Sequence, residues 1–474
     1  MLAIVINESM FATNEVAIRI EALIRSYLTS EDYTDIDLVG VFFHEIMIYA
    51  TNFYIISTSN EEYTQKVKFP FLNSDYVKNI PIIAFEEQAQ RKKSYKFKLI
   101  ELIQLFLPLK KSLLIEDNIS IDLKKFILKN IFRYKFISST NVKINLPDLL
   151  GQLDNLKRLI VDIANLLEIK NKINFVDNFI RYVESYIGSQ PIECNSNALI
   201  VGSNARLNVR INSANYLSKG KKVISFCHGE HSIYVLDELA AGYTEMSYCT
   251  DCVTYGKDQD FNKLEYAKPL FKLPNVHYRN SSEIGKYYKD NSVLKTRLEN
   301  TTKILYIPTS FSGNQRYAPF RDISDSVYRE WQESLFKIDL DITYKAHPKN
   351  KVEPYLKKNK IEKRYLQEVL SQYDFYILDY ISTASALCVA TDKPILYLNI
   401  GCRNMSREAL DLFKKRVFWV DIDLDSDLNI QIKAAIKNYN LSNKEFINRY
   451  SERFSLRGNN KVDTDLLNQI IKQG

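Results

Sequence analysis

Apolar positions in this chain come in two kinds of run. In the C-terminal half, residues 341–346, 374–381 and 394–399 are short stretches rich in β-branched and aromatic side chains, with no polar alternation. That pattern predicts strands buried on both faces. Residues 302–309 open the same set and 416–422 close it. Helical spacing over 406–415 and 429–439 fills the gaps, and a last helix is expected over 443–454. Strands alternating with helices predict a parallel sheet, whose ligands sit beyond the carboxyl ends of the strands.

The N-terminal half has a looser version of the same alternation. Strands are predicted over 2–7, 37–43 and 79–85, and a helix over 14–28. From 89 to 136 the pattern becomes helical and basic, and 149–187 reads as two amphipathic helices. Strands resume at 197–202, 222–227 and 252–255. The expected class is therefore α/β: a domain over 1–290 with a helical insertion at about 89–190, a second over 300–440, and a tail over 441–474.

Composition narrows the classes. With 46% hydrophobic and 26% charged residues, the chain is an ordinary globular protein. The net charge of +7 is concentrated: residues 91–136 carry 12 Lys/Arg against 4 Asp/Glu. A basic face across the whole surface is absent, so a nucleic-acid partner is not expected. Leu99, Ile100, Leu102, Ile103, Leu105, Phe106 and Leu107, flanked by Lys92, Lys93, Lys96, Lys98, Lys110 and Lys111, form either a patch for an anionic membrane surface or two packed helices with solvated lysines. Six irregularly placed cysteines, with no signal-peptide pattern before them, suit reduced thiols in the cytoplasm. The lone Cys249-x-x-Cys252 reads as two small buried residues leading into a strand.

The candidate chemistry is anion binding. Ser382, Thr383 and Ser385 sit where a helix begins, so their hydroxyls either cap it or join its backbone N–H groups around a phosphate. His347, followed by Pro348, ends the strand over 341–346 and can donate to the same phosphate; Lys345 precedes it. The loop containing Ser310, Ser312 and Gly313 suits a diphosphate. In the first half, the strand over 222–227 delivers His228-Gly-Glu230-His231, while Asn204 and Arg206 open a helix after the strand over 197–202. Glu230 is the leading base or nucleophile, with His228 or His231 as its partner; a turn in which Glu230 caps the next helix is the alternative. His44-Glu45 is a third candidate strand end.

The stretches Tyr344-Lys-Ala-His347-Pro348, Leu378-Asp-Tyr-Ile-Ser-Thr-Ala-Ser-Ala386 and Asp392-Lys-Pro-Ile-Leu396 resemble the nucleotide-binding half of GT-B glycosyltransferases that build bacterial surface polymers. Their HP and Ser/Thr motifs are similar to those of enzymes using CMP-activated sialic acid or Kdo and, more distantly, of CDP-glycerol glycerophosphotransferases. The resemblance covers roughly residues 195–420. It implies two Rossmann-like domains facing across a cleft, the second holding a CMP- or CDP-activated donor and the first a saccharide acceptor, free or lipid-linked. A His-Gly pair with an acid beside it occurs in the acceptor domain of those families. It also implies a terminal helix that crosses back to the first domain, and Asn204 and Arg206 holding a sugar carboxylate. Neither metal nor cofactor is expected, the neutralisation of phosphate falling to His347, the hydroxyls, the helix dipole and Lys345. A polyol-phosphate transferase and a non-catalytic nucleotide-sugar-binding subunit remain open beside it. The expected location is cytoplasmic, either free or peripheral on the inner face of the plasma membrane.

Overall fold

The computed structural model of the 474-residue chain describes residues 16–58 apart from 17, 18 and 29–35; 102–104; 112–115; 126–138; 143–188 apart from 147 and 170; 196–229 apart from 203, 205 and 228; 245–257; 274–289 apart from 282; 297–299; 301–308; 325–346; 360–403; 405–442; 446–456; and 464–472. Two six-stranded parallel sheets organise these residues.

The first sheet contains β1 (Ser112–Ile115), β2 (Lys135–Ser138), β3 (Ala198–Val201), β4 (Lys222–Phe226), β5 (Asp251–Tyr255) and β6 (Asn275–Arg279), in the order β2-β1-β3-β4-β5-β6. The second contains β7 (Ile304–Ile307), β8 (Ile342–Lys345), β9 (Ile361–Glu362), β10 (Phe375–Leu378), β11 (Ile395–Asn399) and β12 (Phe418–Asp421), in the order β12-β11-β10-β7-β8-β9. In each sheet the chain winds outward in one direction and then in the other. The reversal falls between β1 and β3 in the first and between β7 and β10 in the second. Such a switch point opens a crevice at the carboxyl ends of the strands.

Helices cover the sheets. Among the described residues they include α1 (Phe43–Thr58), α2 (Leu149–Leu166), α3 (Lys172–Glu184), α4 (Leu207–Leu217), α5 (Asp325–Phe336), α6 (Thr383–Ala390), α7 (Arg407–Arg416), α8 (Leu428–Leu441), α9 (Arg449–Phe454) and α10 (Thr464–Lys472). On the second sheet, Leu305, Tyr376, Leu378 and Tyr397 face α6, α7 and α9. On its other face, Tyr306, Tyr344, Ile377 and Leu396 meet α5 and α8. The first sheet packs Leu199, Val201 and Val223 against α4, and Ile200, Ile224, Phe226 and Val253 against Leu467, Ile470 and Ile471 of α10. Helices α1, α2 and α3 form a further layer over α4.

Three sequence expectations change. Residues 37–43 are not a strand. Asp37 caps a helical turn at Leu38–Val41, accepting from Val39 N at 2.7 Å, and α1 follows. Leu38, Val39, Phe42 and Ile46 are all fully buried, and a segment buried on every side has lost the one-sided periodicity that marks a helix. Second, the stretch read as a helical insertion supplies β1 and β2. Strands of four residues are too short to display a period of two. Third, α9 packs on the second sheet through Tyr450 and Phe454, and the helix lying on the first sheet is α10, beyond the expected one. The strands read at 2–7 and 79–85, and most of 89–136, lie outside the described residues.

At the junction of the two halves, Gly256 takes φ +83°, in the left-handed region where a side chain is strained. A Cβ there would stand 2.4 Å from the Arg453 carbonyl oxygen. Beside it, Lys257 N donates to Arg453 O at 3.0 Å and Ser281 N to Ser455 O at 2.8 Å. The ends of β5 and β6 thus rest on the end of α9.

Candidate functional site

The strands that lead to the predicted anion-binding residues all belong to the second sheet, with one rearrangement. Residues 346–348 follow β8 and Ser382 follows β10, but these strands are not adjacent, because β7 runs between them. Their exits are therefore two strand spacings apart, roughly 10 Å. The loop with Ser310, Ser312 and Gly313 leaves from the middle strand, β7. Those three residues, with His347 and Pro348, lie outside the described residues.

At the exit of β10, Ser382 is the N-cap of α6. Its Oγ accepts from Ala384 N at 3.2 Å, while Ser385 Oγ accepts from Ser382 N at 2.8 Å and donates to Ser382 O at 2.7 Å. Both hydroxyls are engaged in a reciprocal capping box, which satisfies backbone groups that a helix start leaves unpaired. The capping role of these two serines is thus realised. The positive end of the eight-residue helix α6 points to the carboxyl edge of the sheet. Thr383, its first residue, is half-buried.

Lys345 ends β8 and is buried. Ile342 and Tyr344 face α5 and α8, so strand alternation turns Lys345 to the α6 side. Its Nζ donates to Ala346 O at 2.9 Å. Desolvation lowers its pKa, and the Glu362 carboxylate opposes that. Glu362 is itself tied to Arg364 at 2.6 Å.

Two side chains at these exits escaped the sequence reading. Arg403, in the turn after β11, donates Nη1 to Ile381 O at 3.0 Å and lies 4.4 Å above the Tyr380 ring, which places a cation at the start of α6. Asp379, directly after β10, is fully buried, and burial pushes its carboxyl up to about 6. An acid closing an otherwise apolar strand was the available signal. Arg403 had none beyond its place after Gly401, which has φ +75°.

In the first half, the exits of β3 and β4 carry the acceptor-side candidates. Asn204 is 0% exposed. Its amide nitrogen donates to Ser247 O, its amide oxygen accepts from Ser213 Oγ at 3.0 Å, and its backbone oxygen accepts from Arg210 Nη1 at 2.9 Å. It is a hub that shapes the loop, not a surface amide offered to a sugar. Arg206 is the half-buried N-cap of α4. Glu45 lies on α1, not at a strand end, and pairs with the buried Arg210, which also donates to Val41 O at 2.9 Å. Burial still pushes the Glu45 carboxyl up, against the pull of Arg210. His228, Glu230 and His231 lie outside the described residues; their neighbours Cys227 and Gly229 are buried at the end of β4.

Cys227, Cys249 and Cys252 are buried free thiols, and the sulfurs of Cys227 and Cys252 are 3.8 Å apart. The contact with Cys252 and then burial push the Cys227 thiol up, and burial pushes the Cys249 thiol up, so they are poor nucleophiles. Among the described residues, no group of His, Cys, Asp and Glu is arranged to hold a metal, and no helix is long and apolar enough to cross a membrane.

No protein-family model matches the sequence, and no curated protein matches it. Solved structures with partial similarity include the spinosyn forosaminyltransferase SpnP, at 12% identity and a TM-score of 0.37 over 77% of this chain and 99% of that one. The glycosyltransferase SnogD from Streptomyces nogalater is similar at 9% identity and 0.35, over 77% and 100%. The glycosyltransferase VinC, in complex with DTDP, is similar at 9% and 0.32, over 77% and 100%. Similarity this distant does not bear on the chemistry of this chain.

Proposed function

We propose that this chain is a metal-independent glycosyltransferase of the GT-B kind. It transfers an acidic sugar of the Kdo or sialic acid type from a CMP-activated donor to a bacterial surface glycan. The observation that supports this reading is the β7/β10 switch point: a doubly wound sheet with a capped helix N-terminus at its carboxyl edge, Arg403 beside it and Lys345 on the same face. Backbone N–H groups at such a position favour a phosphate. They would stabilise the charge that grows on the departing CMP, together with Lys345, His347 and the Ser310 loop. The acceptor binds to the first half, where Glu230 acts as base or nucleophile with His228 or His231 as partner.

The same reading includes peripheral contact with an anionic membrane. Leu128 and Phe132 are 64% and 72% exposed, and Leu102 and Ile103 are exposed as well. Gln104 ties the two groups together, donating to Ile131 O and Tyr134 O, each at 2.8 Å. Lys129, Arg133 and Lys135 are exposed among them. Apolar side chains interleaved with cations suit a lipid surface of negative charge.

The test has two parts. A thermal-shift panel of CMP, CDP, UDP, GDP and dTDP should give the largest stabilisation with a cytidine nucleotide, since a ligand bound only to the native state raises its stability. Glu230→Gln should lower turnover by about 10²-fold or more while leaving nucleotide affinity unchanged. Transfer at the parental rate, or no response to any cytidine nucleotide, would overturn the reading.

A further inference from the structure

Asp379 is satisfied in a lopsided way. Its Oδ2 accepts from the Tyr306 hydroxyl on β7, from the Tyr328 hydroxyl on α5 at 3.1 Å and from the Trp331 indole N–H on α5 at 3.0 Å. Its Oδ1 has no hydrogen-bond partner, although the side chain is 0% exposed. A carboxylate offers about four acceptor sites over two oxygens. Three donors on one oxygen and none on the other leave a buried charge half solvated, which costs stability unless something else supplies a donor.

Position says what that donor belongs to. Asp379 lies one residue past the end of β10, opposite the exit of β7 and three residues before the Ser382 cap. A negative acceptor repels phosphate and attracts a hydroxyl. We propose that Asp379 Oδ1 accepts a hydrogen bond from a hydroxyl of the bound donor, on the ribose or the transferred sugar that flanks the phosphate at α6. This rests on the nucleotide-sugar reading above. The three donors on Oδ2 then act as a brace, fixing the carboxylate from β7 and α5 so that its other oxygen meets the ligand.

The protonation state adds a signature. Burial is the largest effect on the carboxyl and raises it to about 6, against the pull of Tyr306, Trp331 and Tyr328. The groups facing it are Tyr306, Tyr328 and, from β11, Tyr397, with Tyr380 and Cys402 around Tyr397. Burial holds the Tyr306 and Tyr397 hydroxyls far above neutrality. A group whose folded value is raised gives stability that is full below its unfolded value of 3.8 and is lost as pH rises through about 6. Near pH 7.5 the free protein therefore carries the cost of an ionised, half-satisfied carboxylate.

Asp379→Asn separates a ligand acceptor from a core residue. In calorimetry with CDP or CMP-sialic acid the variant should bind about tenfold more weakly than the parent at pH 7.5, and the ratio of the two affinities should fall towards one as pH drops to 5. The variant's melting temperature at pH 7.5 should equal or exceed the parental one, and the gap should close near pH 5. A loss seen with CDP and shared by 2′,3′-dideoxy-CDP on the parent assigns the hydroxyl to ribose; a loss confined to CMP-sialic acid assigns it to the sugar. Unchanged affinity with a lower melting temperature would make Asp379 a core residue and overturn the proposal. If the parent itself binds neither ligand, the nucleotide-sugar reading fails and this proposal falls with it.

Discussion

The buried Arg416 shows how much of this fold hangs on single polar side chains. Its guanidinium donates to Val389 O at 2.9 Å, Thr391 O at 2.7 Å and Lys393 O at 2.9 Å, gathering the carbonyls at the far end of α6. Desolvation lowers its pKa to about 10, so it stays charged at neutral pH. Arg416→Ala should cost about 3 kcal/mol or more in urea unfolding, because three buried carbonyls lose a charged donor; Arg416→Lys should recover only part of this, since one ammonium cannot reproduce a planar fork. A loss below about 1 kcal/mol would mean that water replaces the guanidinium. The sequence identified Ser382 and Ser385 correctly as a helix start, because capping chemistry is local. It read Asn204 as a ligand-facing amide, and nothing local distinguishes such an amide from one that ties Ser247, Ser213 and Arg210 together in the interior. Asp379 passed unread for the same reason: its meaning comes from Tyr306, Tyr328 and Trp331, which are distant in sequence.

At the scale of elements, the second sheet was legible almost strand by strand. Three of its strands are continuous apolar runs bounded by turns, a pattern that only a doubly covered strand needs. The two-residue β9 is too short to leave a pattern. The first sheet was legible from β3 to β5. Its edge was not, since β1 and β2 lie in a basic stretch whose apolar residues are shared between short strands and turns. Sequence order also hid that β7 separates β8 from β10, because crossovers decide neighbours and motifs do not. The turn before β2 carries an element-level prediction. Phe132→Asp with Leu128→Asp, both at exposed positions, should leave folding unaffected and abolish sedimentation with phosphatidylglycerol vesicles at low salt. The parent should release as salt screens the attraction. Equal recovery of the parent with neutral and anionic vesicles would refute the membrane contact.

At the scale of the whole molecule, the two sheets meet where Gly256 and Lys257 touch Arg453. Gly256→Ala forces a Cβ into a carbonyl and into a left-handed backbone, so the junction must shift. The expected result is a loss of about 1–3 kcal/mol in stability with unchanged far-ultraviolet circular dichroism, and lower turnover on any substrate held by both halves. An unaltered unfolding midpoint would show that the contact yields freely. Helix α10 has a different consequence. Leu467, Ile470 and Ile471 complete the core beneath Ile200, Ile224 and Val253, and Asn468 accepts from the Tyr134 hydroxyl at 3.1 Å. Part of the apolar face of the sheet in residues 112–279 therefore lacks its native cover until residues 464–472 have been made. At the usual pace of translation that interval is on the order of 10 to 40 seconds. Throughout it the nascent chain exposes a sticky surface, so the half that leaves the ribosome first is the half that must wait longest and depends most on chaperones.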